Sequence, residues 1–192
     1  MSTRSIVGVY TSDDPSNKAW HGRYCHFDGY PTGVGATLHS EYQRVYRFEL
    51  PENEITDGRK YDPKGVANLV EYLMYEKVGW SVLAGADLSM KPGWMDRCAM
   101  DWPTLQEYSA SPEGKRPQCY SARGETPGDP VIGDLLTSED TDTWCEYAYI
   151  FNIRAMTMDV WSLGYKAPNK LLATVDLNGE ANFEQIEKDG HE

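Results

Sequence analysis

The sequence predicts an α+β fold in which a mostly antiparallel sheet carries two main helices on one face and a long irregular insertion. Segments that favour extended backbone lie near both ends of the chain, and two amphipathic helical segments lie between them. Residues 86–133 hold six prolines and show no hydrophobic periodicity, which is typical of an irregular segment. The length of 192 residues fits one domain over 1–192 that contains this segment.

The N-terminal third is predicted to begin with a β-hairpin and to continue into a helix. Ile6, Val7 and Val9 favour extended backbone, and the aromatic residues of 23–27 alternate along a second strand. Thr32 is a suitable helix N-cap, because the apolar residues after it recur at helical spacing. The predicted elements are a strand at 4–11, a loop at 12–22, a strand at 23–27, a turn at 28–31 and a helix at 32–48.

A second helix is predicted over 62–78. Asp62 caps it, and Pro63 occupies the first helical position, where a missing N–H group costs nothing. Gly79 fits the end of this helix, and 79–85 fits a short buried strand. The apolar face of the helix is formed by Val66, Leu69, Val70, Leu73 and Met74.

Three further strands are predicted in the C-terminal third, where they complete an antiparallel meander. Their sequences are rich in aromatic and β-branched residues, and Asn178-Gly179 is a strong signal for a tight turn. Residues 180–189 fit either a terminal helix or a returning strand. The strands cover 143–153, 155–164 and 170–177.

The net charge of −12 is concentrated near the C-terminus. Residues 1–124 carry 16 acidic and 14 basic side chains, whereas residues 125–192 carry 14 acidic and 4 basic ones. Binding of a nucleic-acid backbone needs a basic face, so we expect none. The acidic third either attracts a basic protein surface, mimics nucleic acid, or only keeps the protein soluble.

The chain is expected to be cytoplasmic and to have no membrane segment. No stretch approaches the roughly 18–20 apolar residues that span a bilayer, and the first residues lack the apolar run of a signal peptide. The four cysteines show no Cys-x-x-Cys pair, which favours reduced, buried thiols over a zinc site. No cofactor and no metal are predicted.

The pair His26 and Asp28 is the best candidate for catalysis. If 23–27 is a strand, Tyr24, His26 and Asp28 point to one face, and Asp28 can orient the imidazole for general base catalysis. Alternatively, Asp28 accepts backbone N–H groups in an Asx-type turn before Gly29, and His26 donates to a carbonyl. None of the common hydrolase, kinase or metalloprotease motifs accompanies this pair.

Neighbouring residues are candidates for binding a small ligand. Arg23 offers a positive charge, and the helix start at 32–35 directs backbone N–H groups outwards, where a phosphate or carboxylate can bind. The alternative is that Gly33 and Gly35 serve only a tight turn and close packing. The candidate ligand-binding residues are Arg23, Tyr24, Tyr30 and Thr32.

A second candidate site is the acidic segment 134–146. Hard cations bind several oxygens, but this segment lacks the central glycine and the spacing of an EF-hand loop. It is therefore either a solvated acidic loop or a surface for a basic partner. The candidate partner-binding residues are Glu139, Asp140, Asp142 and Glu146.

The stretch GRYCHFDGYPTGVG, residues 22–35, resembles the Tyr-x-His-Trp-Asp-Gly-Tyr-Pro motif of a family of small uncharacterised proteins from actinobacteria and their phages. Phe27 stands where that motif has Trp. The resemblance extends to 78–83, 117–125 and 144–153, and so spans most of the chain. It implies a phage-encoded accessory protein in the host cell cytoplasm, and it implies no catalytic residue.

Three functions are compatible with these patterns. The favoured hypothesis is an accessory protein that binds a basic host protein through an acidic and aromatic surface. The second is an enzyme or a small-ligand-binding protein with its site around His26, Asp28 and Tyr30. The third is a virion component. Whether the protein is an enzyme is left open by the sequence.

Overall fold

Within the part of the chain that the structure describes, the fold is a six-stranded sheet with helices packed on one of its faces, which confirms the predicted α+β class. The expected irregular insertion at 86–133 and the strand predicted at 79–85 lie outside the described residues. The side chains of Tyr75 and Leu135 are also outside the description. The computed structural model describes residues 3–14, 16–25, 29–55, 58–75, 135–139, 145–164 and 168–191.

The sheet has the strand order β3-β2-β1-β4-β5-β6. Neighbouring strands are antiparallel, except that the central pair β1 and β4 is parallel. The predicted N-terminal hairpin and the C-terminal meander are therefore both present. The strands are β1 Ser5–Tyr10, β2 Trp20–Cys25, β3 Leu135–Thr137, β4 Tyr147–Asn152, β5 Thr157–Ser162 and β6 Lys170–Asp176.

Three features of the sheet differ from the sequence-based expectations. The strand β2 begins at Trp20, inside the predicted loop 12–22, and β3 lies inside the acidic segment that was expected to be a loop. Both differences have the same cause. A short strand is stabilised by its neighbours in the sheet more than by its own composition, so the local sequence does not identify it. The parallel pairing of β1 with β4 joins strands that end at residue 10 and begin at residue 147, and no local pattern reports such a pairing.

The first helix runs from residue 31 to residue 46 and has three parts. A π-helical turn, Pro31–Gly35, leads into α1, Ala36–Glu41, and a second π-helical turn, Tyr42–Tyr46, ends the helix. The predicted N-cap Thr32 is wrong by two residues, because Tyr30 is the N-cap and Pro31 takes the first helical position. Proline is suited to that position, since its missing N–H group would have no helical partner. The hydroxyl group of Thr32 is thus available for another contact.

Two further helices follow, α2 Lys64–Tyr75 and α3 Phe183–Gly190. The predicted cap of α2 is confirmed, because Asp62 Oδ1 accepts the N–H group of Lys64 at 2.8 Å. The segment 180–189 forms a helix rather than a returning strand. Asn182 caps that helix by accepting the N–H group of Gln185 at 3.1 Å.

The three helices of the described residues pack on the same face of the sheet, which we call the helix face. The first helix approaches the sheet closely at Gly35, where a Cβ atom would lie only 2.9 Å from the ring of Tyr149. The buried core on this face is formed by Val7, Val9, Tyr147, Tyr149 and Phe151 of the central strands, together with Val34, Leu38 and Tyr42 of the first helix, Val66, Leu69 and Leu73 of α2, and Phe183 and Ile186 of α3.

The opposite side of the sheet, which we call the second face, carries a smaller apolar cluster. Alternation along the strands places Ile6, Ala148 and Ile150 there, next to the core residues of the helix face. These three side chains are fully buried. The other buried members of this cluster are Trp20 and Cys145.

Candidate functional site

Arg23, a candidate for ligand binding, contacts the end of α2 in the structure. It lies on the helix face of β2, is only 5% exposed, and donates from Nε to the carbonyl of Met74 at 3.0 Å. Met74 belongs to the last turn of α2, where carbonyl groups lack helical donors and a cation is favourable to the helix dipole. Arg23 therefore joins the end of α2 to the sheet.

His21 was not among the predicted site residues. It lies on the same face of β2 as Arg23. Burial of the imidazole lowers the pKa of His21 below its ordinary 6.5, and the positive charge of Arg23 lowers it further. The neutral imidazole is thus the dominant form at pH 7. Protonation of His21 therefore requires a lower pH than protonation of an exposed histidine.

The two candidate tyrosines lie on different sides of the sheet. Tyr24 packs against the apolar cluster of the second face, while Tyr30 is the N-cap of the first helix and packs against the core of the helix face. The structure therefore brings Tyr24 together neither with Tyr30 nor with Arg23. His26 and Asp28 lie outside the described residues, so their catalytic role stays a prediction.

The anion expected at the start of the first helix is supplied by the protein itself. Glu187 Oε2 of α3 accepts the backbone N–H group of Thr32 at 3.0 Å and its hydroxyl group at 2.6 Å. A carboxylate at this position is favoured by the unsatisfied amides and by the helix dipole. The contact joins α3 to the first helix. It also occupies the N–H and hydroxyl groups of Thr32, which a ligand at this helix start would have needed.

The acidic segment does not form one compact surface among the residues described. Glu139 follows β3, whose Thr137 pairs with His21 at the end of the sheet where β1 finishes. Glu146 precedes Tyr147, which pairs with Ser5 at the end where β1 begins. Both carboxylates are exposed, but they lie at opposite ends of the sheet. The other two candidates, Asp140 and Asp142, are outside the described residues.

A different acidic surface lies in the turn between β6 and α3 and in the first turn of that helix. We call it the C-terminal acidic surface, and it consists of Asp176, Glu180 and Glu184, which are all exposed. None of the three forms an ion pair within the described part of the chain. By contrast, the carboxylates of Glu41 and Glu49 lie beside Arg44 and Lys60.

The second face holds a buried carboxylate, Asp159, at the centre of a polar network. Asp159 is 4% exposed and lies in β5. Its Oδ1 accepts the hydroxyl group of Thr174 at 2.6 Å, and its Oδ2 accepts the hydroxyl group of Tyr10 at 2.5 Å. Trp161 donates from Nε1 to the hydroxyl oxygen of Tyr10 at 3.2 Å. Lys18 also belongs to this network, because its Nζ lies 3.5 Å from Asp159 Oδ2. We give the name Asp159 cluster to Tyr10, Lys18, Asp159, Trp161 and Thr174.

The elements of the sheet explain how this cluster assembles. Alternation along β5 sends Met158 and Val160 to the helix face, and it sends Asp159 and Trp161 to the second face. Thr174 lies directly across from Asp159 on β6. The side chain of Tyr10 reaches these residues from the end of β1, on the other side of β4.

The phenol of Tyr10 is held as a neutral hydrogen-bond donor. Burial is the largest cause that raises the pKa of Tyr10 well above its ordinary 10.0, and the hydrogen bond to the Asp159 carboxylate raises it further. A neutral phenol can donate to a carboxylate and accept from an indole at the same time, as it does here. The hydroxyl group of Tyr10 therefore donates to Asp159 while the phenol stays neutral.

Lys18 supplies the only cation that lies beside Asp159 among the residues described. Its Nζ lies 3.5 Å from Asp159 Oδ2 and 5.1 Å from the centroid of the Tyr10 ring. The side chain of Lys18 is 50% exposed, so the ammonium group lies between solvent and the buried carboxylate. This arrangement combines a buried negative charge with an aromatic face, both of which attract a cation.

One feature of the sequence indicates this cluster. Asp159 interrupts the apolar strand Met158-Asp159-Val160-Trp161, and a carboxylate at a buried strand position is rare unless it is paired. Its partners Tyr10 and Lys18 are about 140 residues away or more. The carboxylate was therefore detectable from sequence, but its partners were not.

The described residues hold no group of three or more His, Cys, Asp or Glu side chains arranged to bind a metal ion. Within the same residues, no helix is long and apolar enough to cross a membrane. Cys25 and Cys145 are buried thiols, and Cys98 and Cys119 lie outside the description.

No protein-family model, no curated protein and no solved structure matches this chain. The family resemblance of the 22–35 stretch thus stays a prediction.

Proposed function

We propose that the protein acts by binding a basic protein, as a phage-encoded accessory protein in the cytoplasm of its host. The observation that carries this proposal is the C-terminal acidic surface. Asp176, Glu180 and Glu184 are exposed within nine consecutive residues, and no cation of the described chain neutralises them. Binding of a basic surface would remove their mutual repulsion.

Electrostatic attraction supports this proposal over long distances as well as at contact. Of the 18 lysines and arginines in the chain, only 4 lie after residue 124, so the C-terminal third projects a field of one sign. Such a field accelerates the encounter with an oppositely charged partner and weakens as salt is added.

The two acidic regions lead to different versions of the proposal. One places the partner on the segment Glu139, Asp140, Asp142 and Glu146, and the other places it on Asp176, Glu180 and Glu184. The second version is better supported, because the two described members of the first region lie at opposite ends of the sheet. The resemblance of residues 22–35 to proteins of actinobacteria and their phages supports a host protein as the partner.

The test compares three variants that each remove three negative charges. The first combines D176N, E180Q and E184Q, the second combines D140N, D142N and E146Q, and the third combines E52Q, E54Q and E71Q as a control. Each variant is used to recover proteins from a host lysate at two salt concentrations, and the recovered proteins are quantified by mass spectrometry.

We expect a basic protein to be recovered by the wild-type chain at low salt and lost at high salt. The first variant should lose it, while the control should retain it, since Glu52, Glu54 and Glu71 are exposed acids elsewhere on the molecule. Loss with the second variant alone would move the interface to the 139–146 segment. Equal retention by all three variants would contradict binding through either acidic surface.

The two other functions stay open as predictions with their own measurements. An enzyme or small-ligand site around His26, Asp28 and Tyr30 requires that H26A abolish a turnover or a binding signal without lowering stability. A virion component requires that the protein be detected in purified particles. No contact among the described residues favours either function over protein binding.

A further inference from the structure

We infer that Tyr10 and Asp159 form a binding site for a primary alkylammonium group, and that Lys18 occupies this site in the absence of ligand. The inference does not depend on the proposed function. If the ammonium group belongs to a lysine of a protein partner, the inference rests on the proposed function and identifies one contact between the two proteins.

The geometry of the site fits an ammonium group on an alkyl chain. Asp159 Oδ2 supplies a negative charge, the ring of Tyr10 supplies an aromatic face, and Nζ of Lys18 already lies 3.5 Å from the first and 5.1 Å from the centroid of the second. An ammonium group that touches both partners gains ion-pair and cation–π attraction together. The chain of Lys18 thus shows how an external lysine or alkylamine would lie.

Tyr10 and the buried Asp159 are held in place before any ligand arrives. Tyr10 is fixed by donating to Asp159 and by accepting from Trp161, and Asp159 is fixed on its other oxygen by Thr174. Such a network needs no rearrangement when a cation binds, and this preorganisation lowers the cost of binding.

Lys18, in contrast, is held loosely. Its ion-pair distance of 3.5 Å is long for a charge-assisted hydrogen bond, and half of its side chain is exposed. The loop that carries Lys18 is closed at its base, because Thr11 donates its N–H group to Ala19 at 2.9 Å. The lysine can therefore leave the carboxylate while the loop stays attached to β1 and β2.

Access to the site follows the path that Lys18 itself takes from solvent. Because the side chain of Lys18 is 50% exposed while that of Asp159 is 5% exposed, the departure of the lysine opens a route to the carboxylate. The departure also leaves a buried negative charge with two hydroxyl donors and no cation, which is unfavourable until another cation enters.

The tether makes Lys18 a strong competitor of any free ligand. A group on a short loop has an effective concentration in the millimolar range or above, so an external amine must exceed that value to displace it. Removal of the ammonium group from Lys18 should therefore strengthen binding of a free amine by about tenfold or more.

The experiment follows binding of n-butylammonium by NMR at Trp161, whose indole N–H group donates to Tyr10 at the site. Its signal is identified among the six tryptophans by comparison with W161F. The central variant is K18M, which keeps a long unbranched side chain and removes its charge. The matched control is K60M, because Lys60 lies beside Glu49 and 5.5 Å from the ring of Tyr61, but Glu49 is 60% exposed.

We expect n-butylammonium to shift the Trp161 signal in K18M in a saturable manner, at a concentration about tenfold or more below that needed in the wild-type chain or in K60M. Neutral n-butanol should leave the signal in place. Absence of a saturable shift in K18M, or an equal shift with n-butanol, would overturn the inference. Since both lysines are at least half exposed, neither variant should disturb folding.

A second series separates the two sources of such an amine. It compares the diamine cadaverine with a short lysine-containing peptide, both added to K18M. Tighter binding of the peptide assigns the site to a protein partner, tighter binding of cadaverine assigns it to a free diamine, and both results support an ammonium site. Saturable binding that persists in K18M combined with D159N would contradict the site, because the charge that defines it would be gone.

Discussion

The two faces of the sheet are built on different physical principles. The helix face is covered by three helices and has a continuous apolar core, in which tyrosines such as Tyr149 are fully buried. The second face has a smaller apolar cluster and places a carboxylate, two hydroxyl groups and an ammonium group beside it. Among the described residues, the helix face therefore buries the larger apolar core, and the second face carries the Asp159 cluster.

This difference indicates where function and folding compete least. A polar network costs stability unless each of its members is satisfied. The Asp159 cluster satisfies its carboxylate with donors from β1, β6 and the β1–β2 loop. Such a network can accept a ligand without weakening the core on the other side of the sheet.

Truncation on the helix face should be the most damaging change. Phe151 is fully buried in the core of that face, so F151A removes a large apolar side chain and leaves a cavity. We expect the free energy of unfolding to fall by about 4 kcal/mol, as measured by urea denaturation. The control is L171A, because Leu171 is 40% exposed; its effect should stay below about 0.5 kcal/mol. Comparable losses from the two variants would refute this account of the core.

Removal of the buried carboxylate on the second face should have a smaller effect. D159A leaves the hydroxyl groups of Tyr10 and Thr174 without their acceptor, and we expect a loss of about 2 kcal/mol in the free energy of unfolding. The indole signal of Trp161 should also move, because Tyr10 would lose the bond that orients it. A loss as large as that of F151A would show that the two faces do not differ as described.

Loss of one buried hydroxyl group on the helix face should cost less still. The hydroxyl group of Tyr149 donates to the carbonyl of Gly29 at 2.8 Å, so Y149F should lower the free energy of unfolding by about 1 kcal/mol at pH 8. The stability of the helix face would then depend more on the volume of its buried side chains than on their hydrogen bonds. An effect above that of D159A would reverse this ranking.

The same variant also tests the alkaline pH dependence. Burial, as the largest cause, raises the pKa of Tyr149 well above its ordinary 10.0. The folded state thus holds this proton more tightly than the unfolded state, so the stability contribution is complete below pH 10 and is lost as the pH rises above 10. Burial is also the largest cause that raises the pKa of Tyr10, Tyr42 and Tyr147. Denaturation from pH 8 upward should show a shallower decline for Y149F than for the wild-type chain, and equal slopes would contradict the assignment.

The smallest effect is expected from the exposed member of the Asp159 cluster. K18M should change the free energy of unfolding by less than about 1 kcal/mol, because the lysine is half exposed and its ion pair is screened by water and salt. Thermal denaturation at low and high salt should show the difference shrinking as salt increases. A large loss that is independent of salt would make Lys18 a structural residue rather than a replaceable occupant.

Local features of the fold were predictable from the sequence, whereas long-range ones were not. The cap formed by Asp62 and the first strand at Ser5–Tyr10 follow from residues that interact with near neighbours. By contrast, Arg23 donates to Met74 and Thr32 donates to Glu187. These partners are 51 and 155 residues apart in the chain. The same limit applies to the candidate site. Its aspartate stands out in the sequence, but Tyr10 is brought to it only by the folded sheet.

The parallel pairing at the centre of the sheet has a consequence for synthesis of the chain. The strand β1 ends at residue 10 and is synthesised well before its central neighbour β4, which begins at residue 147. At roughly 5–20 residues per second, β1 waits about 7–30 seconds for that neighbour. Closure of so long a loop also slows folding after release. During this interval the N–H and C=O groups of β1 that later pair with β4 are open to chaperones and to other nascent chains.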